Sequence, residues 1–401
     1  MTPAQRLAWQ GQGTHAQECP ALEALLAQRG VTPPPSLRLA HRLLLKRAQP
    51  QLAAPPWDAP ALAAALQSHR SSASEAQLIS TAQAAAALSA YASVDAQEAT
   101  DVLLALSCNA HSVCDAELRP TGKGVYPVVA TANHDCAPSA CLTFRGATAQ
   151  LRSVRSLSAG EEVTLSYIDL CACASERRAE LREGYFFECQ CARCAAAFAP
   201  GGCEEDRAMG GCGCASCGAA TAPLATVCGA CGAQVAPQPA DVRRARTDAA
   251  EAIAEARRAR SAGDVVAAAA AAARALAAVR ASRLPPTAAL RTRALDECLK
   301  AALEAEDWTG ALSAAADSLP GYTLCHGAGG ASPLLGLQHA TVAKLRWALG
   351  DAQEAGRQFQ RASAHLEVTH GGDHPLVREL QQSAREAQAQ DAHASHGRRL
   401  E

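Results

Sequence analysis

The chain has 401 residues, and its 37 Lys and Arg against 39 Asp and Glu leave a formal charge of −2 at pH 7. This balance supplies no general attraction to nucleic acid, and a composition with 49% hydrophobic residues excludes a disordered tail. No uncharged apolar run reaches the roughly 18 residues of a membrane helix, and no secretory signal pattern opens the chain. We therefore expect a cytoplasmic or nuclear protein of two or three domains, with neither nucleic acid nor membrane as a direct partner.

The first part of the chain is predicted to be mostly helical, from residue 36 to about residue 113. It begins with SLRLAHRLLLKR and ends with the amphipathic run DAQEATDVLLALSCNAHSV. Pro55, Pro56 and Pro60 are predicted to break the helical pattern.

Short β-type runs follow, at residues 142–144, 149–154 and 163–167, separated by turn residues. Short strands with little helix between them are typical of a compact, irregular β fold.

The 18 cysteines are concentrated in one part of the chain, with eleven of them from Cys171 to Cys231. In an intracellular chain such a concentration indicates metal ligands before disulfides. Thiolates separated by one or two residues can reach one ion from a single tight turn, and zinc takes four such ligands in a tetrahedron. One predicted zinc site has the ligands Cys214, Cys217, Cys228 and Cys231. Cys203 and Cys212 lie close in sequence, and either is an alternative ligand there.

A second cysteine group precedes this site, at Cys189, Cys191 and Cys194, and supplies only three ligands. Its fourth ligand has to come from elsewhere in the chain.

From about residue 241 to 390 the pattern is all-helical, with a weak internal repeat. Asp264, Asp307 and Asp351 each follow a turn, and each has an alanine four residues later: Ala268, Ala311 and Ala355. A turn followed by alanine at helical spacing favours stacked helix pairs. His370 and His374 suggest a metal site, but a glycine-ended helix followed by a new start at Pro375 explains them better.

Three features stand in order between Gly122 and Cys194: Asn133-His134-x-Cys136, then Ser166-Tyr167, then Tyr185-x-Phe187 leading into the Cys189 group. Together with GKGVYP, GEEVTLSYIDL and ERRAELREGYFFEC, they resemble the second half of a SET domain, as found in the SET-and-MYND family of protein-lysine methyltransferases. A tyrosine that ends a β run is usually a half-buried core residue; the ordered set, and not any single residue, identifies the family.

The resemblance implies a function and a role for each matching residue. The implied activity is S-adenosyl-L-methionine-dependent methylation of a lysine in a protein substrate, histone or non-histone, with zinc in a structural role. The implied cofactor contacts are Asn109, Asn133, His134 and Phe187. Tyr167 is the implied catalytic tyrosine, and Tyr185 lines the lysine channel. Cys136 completes a zinc site with Cys189, Cys191 and Cys194.

The implied fold is α+β: an irregular β SET core with a helical insert, cysteine-rich zinc segments and an all-α, tetratricopeptide-like C-terminal domain that binds protein partners. The expected segments are a MYND-finger remnant (1–30), the helical insert (31–115), the SET core (116–170), the zinc segment after it (171–199), a zinc-knuckle insert (200–240), the helical domain (241–392) and a tail (393–401).

The N-terminal part departs from the family pattern. Trp9, His15 and Cys19 resemble only the end of a MYND finger, and the glycine-rich cofactor loop that begins the family's SET domain does not precede them. Two ligands cannot close a zinc site, so no metal is expected at His15 and Cys19. We expect an N-terminally truncated form of a methyltransferase. The alternative is a non-catalytic, zinc-containing scaffold with a degenerate SET core. A chloroplast-type SET methyltransferase is disfavoured, because the Cys189 group is not expected in that class.

Overall fold

The computed structural model describes residues 14–48, 66–199, 202–214, 216–217, 220–221, 227–234, 240–282 and 284–397. Trp9 and the three prolines predicted to break the first helical segment lie outside these residues. The chain forms two compact units. The first comprises Met1–Asn133, Phe144–Gln150 and Leu181–Glu188, and the second comprises His134–Thr143, Leu151–Glu180 and Cys189–Glu401.

Four helices and a two-stranded sheet make up most of the described part of the first unit. The helices are α1 (Thr14–Arg29), α2 (Pro35–Arg47), α3 (Glu75–Ala92) and α4 (Ala96–Asn109), with a 3₁₀ turn at Arg70–Ser72. A capping box starts α3, since Ser74 and Gln77 each accept a hydrogen bond from the other's backbone N–H. Leu44, Leu88 and Val102 bring α2, α3 and α4 together in a shared core.

The sheet of the first unit pairs β1 (Ala110–Cys114) with β2 (Pro120–Val125) in antiparallel register, with Ala110 opposite Val125. The prediction of helix as far as residue 113 is therefore wrong for its last four residues. Asn109 ends α4 by donating its side-chain amide to the carbonyl of Ala105 at 2.8 Å. The next residues bond to β2 instead, because pairing across the sheet satisfies their backbone groups as well as a helix would.

Six short elements and a 3₁₀ turn at Val129–Thr131 follow. They are β3 (Asn133–His134), β4 (Ala140–Arg145), β5 (Thr148–Ser153), β6 (Thr164–Leu165), α5 (Ala174–Tyr185) and α6 (Ala192–Phe198). β3 pairs with β6, and β4 pairs with β5. The strands are few and short, as the sequence predicts for an irregular β fold.

The rest of the second unit begins with α7 (Glu204–Gly210) and the two-residue strands β7 (Cys212–Gly213) and β8 (Ala220–Thr221), which pair with each other. A helical region follows, made of α8 (Ala240–Ser261), α9 (Val265–Ala281), α10 (Ala289–Glu304), α11 (Trp308–His326), α12 (Pro333–Ala348), α13 (Ala352–His370) and α14 (Pro375–Gly397). Successive helices pack against one another along this region.

The predicted aspartate repeat marks the starts of α9, α11 and α13. Asp264, Asp307 and Asp351 each cap their helix by accepting a hydrogen bond from the backbone N–H three residues later, at 2.9 to 3.1 Å. Each of these aspartates also donates its own N–H to a carbonyl five residues earlier, at 2.9 Å, which closes the preceding turn as in a Schellman motif. The alanines four residues after the caps are fully buried between helices.

Gly371, with φ of 96°, ends α13 before Pro375 begins α14, as predicted. The α+β class with a helical C-terminal region is confirmed, while the finer segment bounds stay a prediction. No helix among the described residues is both long and apolar enough to cross a membrane.

Candidate metal centres and active site

The four cysteines Cys136, Cys189, Cys191 and Cys194 come together in the second unit; we call them the first cluster. Their sulfur atoms all lie within 4.8 Å of one another. Cys136 Sγ is 3.6 Å from Cys194 Sγ and 4.0 Å from Cys189 Sγ. Three of the four residues are buried, and Cys191 is half-buried at the start of α6.

These distances fit a tetrahedral zinc site. A Zn–S bond of about 2.3 Å places two sulfurs of a tetrahedron about 3.8 Å apart, which falls within the range measured here. A disulfide would require about 2.05 Å, and the four cysteines are free thiols. Contacts with the Cys136 and Cys194 thiols lower the pKa of Cys191, whereas contacts with Cys191 raise the pKa of Cys136 and burial raises that of Cys189. A bound dication would deprotonate all four.

Two buried arginines lie beside the first cluster, and sequence reasoning missed both. Arg177 on α5 is fully buried. Burial lowers the pKa of its guanidinium, but the adjacent sulfurs of Cys136 and Cys194 raise it by more. Arg193 donates to the carbonyl oxygen of Cys136 at 2.7 Å. Four thiolates on one zinc carry a net charge of −2, which these two cations would offset. In the sequence, the two arginines stand close to cysteines. An arginine in such a position is usually a solvent-exposed charge, so the sequence did not indicate this role.

The cysteines Cys214, Cys217, Cys228 and Cys231 form the second cluster, again with all sulfurs within 4.8 Å. Cys214 and Cys231 are 3.8 Å apart, as are Cys217 and Cys228. A knuckle turn after Cys228 is closed by two hydrogen bonds, from Gly232 N–H to the Cys228 carbonyl and from Cys228 N–H to the Ala233 carbonyl.

The second cluster differs from the first in its exposure, since Cys217 and Cys231 are both exposed. Of the two alternative ligands, Cys203 caps α7, and its sulfur accepts the N–H of Asp206 at 3.4 Å. The Cys212 side chain lies outside what the structure describes. The group that converges is therefore the one predicted from the spacing.

His134 and Tyr167 lie together in the second unit, next to the first cluster. His134 Nδ1 accepts a hydrogen bond from the backbone N–H of Tyr167 at 3.0 Å, and its Nε2 is 3.3 Å from Cys136 Sγ. The two rings are 5.4 Å apart. Burial lowers the pKa of His134 to about 4, so its ring is neutral at pH 7. Burial, reinforced by the nearby Glu162 carboxylate, raises the pKa of Tyr167, so its hydroxyl stays protonated.

Local hydrogen bonds hold Asp135 and Ser139, two polar residues that flank Cys136. The Asp135 side chain accepts the N–H of Ala137 at 2.7 Å, which forms a tight turn with Cys136 at its centre. Ser139 is buried, and its hydroxyl accepts the N–H of Thr164 at 2.9 Å and donates to the Glu162 carbonyl at 3.1 Å. These contacts hold the chain before and after the first cluster's Cys136 in place.

The remaining predicted site residues belong to the first unit. Asn133 is exposed, while Tyr185 and Phe187 are half-buried. The Asn109 amide donates to the carbonyls of Gln67 and Ala105, at 3.0 and 2.8 Å.

Phe186, between the two predicted aromatic residues, has φ of 63° and stacks on His69, whose own φ is 48°. Bulky residues in this left-handed region are strained and concentrate at functional sites. No sequence pattern indicated this pair.

The predicted remnant of a finger lies on α1. His15 Nδ1 is 3.5 Å from Glu18, and the Cys19 thiol is 3.8 Å from the Glu23 carboxylate. Glu18 is also bonded by Arg38 and Arg42, so it belongs to an ion-pair network between α1 and α2.

Comparison with known proteins identifies the family to which the chain belongs. The histone-lysine N-methyltransferase ASHR1 of Arabidopsis thaliana is 31% identical over 387 residues, which cover 94% of this chain and 80% of that protein. Histone-lysine N-methyltransferase SMYD3 of Mus musculus is 44% identical over 87 residues, and N-lysine methyltransferase SMYD2 of Homo sapiens is 40% identical over 89 residues. Each of these two shorter matches covers 22% of this chain and about a fifth of the relative. No protein-family model matches the chain. The similarity to ASHR1 along nearly the whole chain shows that the protein belongs to the SET-and-MYND family of methyltransferases.

Proposed function

We propose that this chain transfers a methyl group from S-adenosyl-L-methionine to the ε-amine of a lysine in a protein substrate. The observation that carries the proposal is the placement of Tyr167. Its backbone N–H donates a hydrogen bond to His134, and His134 in turn contacts Cys136 of the first cluster. The proposal is also supported by a relative that covers 94% of the chain and is named a histone-lysine N-methyltransferase.

The proposed cofactor residues are Asn133, His134, Phe187 and Asn109. Asn133 is exposed and Phe187 half-buried; an exposed amide and an aromatic ring are the groups that suit a ligand with hydrogen-bonding groups and an adenine ring. Asn109 presents a polar side chain at the end of α4, held by its bonds to two backbone carbonyls. When bound, S-adenosylmethionine supplies an electrophilic methyl on a sulfonium, whose C–S bond breaks as the lysine N–C bond forms.

Tyr167 and Tyr185 are proposed to act on the lysine. A free lysine amine has a pKa near ~10.4 and must lose its proton before it can attack. A narrow channel walled by aromatic rings such as Tyr185 desolvates the ammonium and lowers this pKa. The protonated Tyr167 hydroxyl can then hold the neutral amine through a hydrogen bond and direct its lone pair in line with the methyl group.

Zinc in both clusters is proposed to be structural. Each cluster already supplies four sulfur ligands, so neither leaves the open coordination position that a catalytic zinc needs. In the first cluster, zinc would join the β3 loop to the start of α6.

The helical region from α8 to α14 is proposed to bind protein partners or the protein substrate. A nuclear or cytoplasmic location fits histone or other protein substrates.

Calorimetric titration with S-adenosylmethionine tests the cofactor part of the proposal. We expect saturable binding, weakened about tenfold by Phe187→Ala because an aromatic stacking surface is lost. Phe198→Ala is the matched control, since Phe198 is an exposed aromatic on α6 that lies against Arg178. A chain that gives no saturable heat would be the non-catalytic scaffold instead.

A further inference from the structure

Both ring nitrogens of His134 have contacts that point in defined directions. Nδ1 faces the backbone N–H of Tyr167 at 3.0 Å, and Nε2 faces the sulfur of Cys136 at 3.3 Å. One imidazole ring therefore lies between a proposed metal ligand and the backbone of the proposed catalytic tyrosine.

Donor and acceptor roles fix the tautomer of this ring. A backbone N–H can only donate, so Nδ1 must present its lone pair to Tyr167. The proton of the neutral ring is then on Nε2 and points at Cys136 Sγ. A metal-bound thiolate is an acceptor, and an N–H donor at 3.3 Å suits it. With metal in the first cluster, both hydrogen bonds of His134 are satisfied together.

The same two contacts link the position of the Cys136 sulfur to Tyr167. A larger metal ion has longer bonds to sulfur and displaces the Sγ that Nε2 faces at 3.3 Å. The rigid imidazole ring would pass this displacement to the backbone N–H of Tyr167, which Nδ1 accepts at 3.0 Å.

We propose that His134 is a positioning residue that couples the metal of the first cluster to the backbone of Tyr167. The importance of this coupling for catalysis rests on the proposed function, but the coupling itself does not. Neighbouring contacts hold the same segment, since Asp135 N–H donates to the Leu165 carbonyl at 2.9 Å, two residues before Tyr167. The imidazole thus holds the backbone of Tyr167 two residues beyond Leu165, the last residue of β6.

Selective ¹⁵N-tyrosine labelling of the full chain provides a direct test, because the protein has only five tyrosines and so five amide signals. Tyr167→Phe removes one signal and thereby assigns it. We expect replacement of zinc by the larger ion cadmium to shift the Tyr167 amide signal and to leave the signals of Tyr91 and Tyr322 unchanged. We also expect amide exchange at Tyr167 to become about five- to tenfold faster when His134→Ala removes the acceptor, the effect of one ordinary hydrogen bond.

His134→Asn separates coupling from simple support. Its side-chain oxygen can take the place of Nδ1 and accept the Tyr167 N–H, but the shorter side chain cannot reach Cys136. We expect slow exchange at Tyr167 to persist in this variant and its response to cadmium to disappear. His339→Asn is the matched control, because His339 is a buried histidine that contacts Gln358 at 2.7 Å in the helical region.

Three results would overturn the proposal: a Tyr167 signal that ignores the metal exchange, a His134→Asn variant that responds as the unaltered chain does, or a cadmium shift shared by all five tyrosines. The measurement uses neither S-adenosylmethionine nor substrate. A chain that transfers no methyl group can therefore still show the coupling, and the two proposals fail separately.

Discussion

Arg193 on α6 donates a hydrogen bond from Nη1 to the carbonyl oxygen of Cys136 at 2.7 Å, with only 4% of its side chain exposed. The same nitrogen lies 3.2 Å from the carbonyl oxygen of Cys325, at the end of α11. Its Nε forms an ion pair with Glu205 of α7 at 2.7 Å, in an orientation too bent for a hydrogen bond. One buried guanidinium thus joins the first cluster to two helices.

Arg193→Met should therefore lower the free energy of unfolding by about 2 to 4 kcal/mol, because two buried carbonyls and one carboxylate lose their partner. Urea unfolding of zinc-loaded protein measures this change. Arg385→Met is the control, since Arg385 is exposed on α14 and donates its hydrogen bonds to Gln382 of the same helix. Equal stability of the two variants would show that Arg193 is not an anchor.

The two clusters should release zinc at different rates. In the first, three cysteines are buried beside Arg177, while in the second Cys217 and Cys231 are exposed. A chelating dye such as 4-(2-pyridylazo)resorcinol should extract zinc in two phases, with the fast phase lost in Cys217→Ser and the slow phase lost in Cys191→Ser. Release of both ions in a single phase, or of the first cluster's ion first, would contradict this assignment.

Glu306 is an exposed, non-glycine residue held at φ of 56° in the turn before α11. Gly263 and Gly350 occupy the equivalent positions before α9 and α13, with φ of 81° and 86°. Because a residue with a Cβ pays about 1 kcal/mol in this region, Glu306→Gly should raise the free energy of unfolding by roughly 0.5 to 1 kcal/mol after the entropy cost of glycine. Gly350→Ala should change stability in the opposite direction. Thermal unfolding of both variants checks the pair, and a destabilised Glu306→Gly would refute the equivalence of the turns.

Asp296 gives the stability a predicted pH dependence. Burial raises the pKa of its carboxyl group to about 6, despite hydrogen bonds from the Tyr322 hydroxyl at 3.0 and 3.1 Å and the nearby Lys300 ammonium. Between about pH 4 and pH 6 the folded chain holds a proton that the unfolded chain releases, so this group's contribution to stability falls as the pH rises. The fall amounts to at most about 3 kcal/mol.

The Asp296→Asn variant has no titrating group at this position, so its free energy of unfolding should lack this fall with rising pH. The measurement is the difference in unfolding free energy between the two proteins, taken from pH 4 to pH 7 in urea. The free energy of unfolding of the variant should increase relative to that of the unaltered chain as the pH rises. A difference that stays constant with pH would show that Asp296 titrates normally.

Local spacing made some features predictable from sequence. The second cluster converges from two Cys-x-x-Cys pairs, because ligands one turn apart share a side of the chain. Asp264 and Ala268 were predictable for a similar reason, since a cap and the helix position four residues later are fixed by the geometry of one helix.

Features that depend on distant contacts were not predictable. Arg177 and Arg193 look like surface charges in sequence, and only the folded chain places them beside Cys136. The end of α4 at Asn109 was also missed, because the strand pairing of Ala110 with Val125 competes with a helical pattern that continues in the sequence. Cys136 was identified as the fourth ligand of the first cluster only through the family resemblance, as 53 residues separate it from Cys189.

Transfer of tritiated methyl groups from S-adenosylmethionine to protein lysines tests the central claim most directly. Core histones or lysine-containing peptides serve as acceptors, and Tyr167→Phe is compared with the unaltered chain. Tyr91→Phe is the control, since Tyr91 is a half-buried tyrosine whose hydroxyl donates to the Leu37 carbonyl at 3.3 Å. The account predicts lysine methylation that falls by about 10²-fold or more in Tyr167→Phe and stays near normal in Tyr91→Phe. Methylation that is unaffected by Tyr167→Phe, or S-adenosylmethionine binding without any methyl transfer across the acceptors, would contradict it.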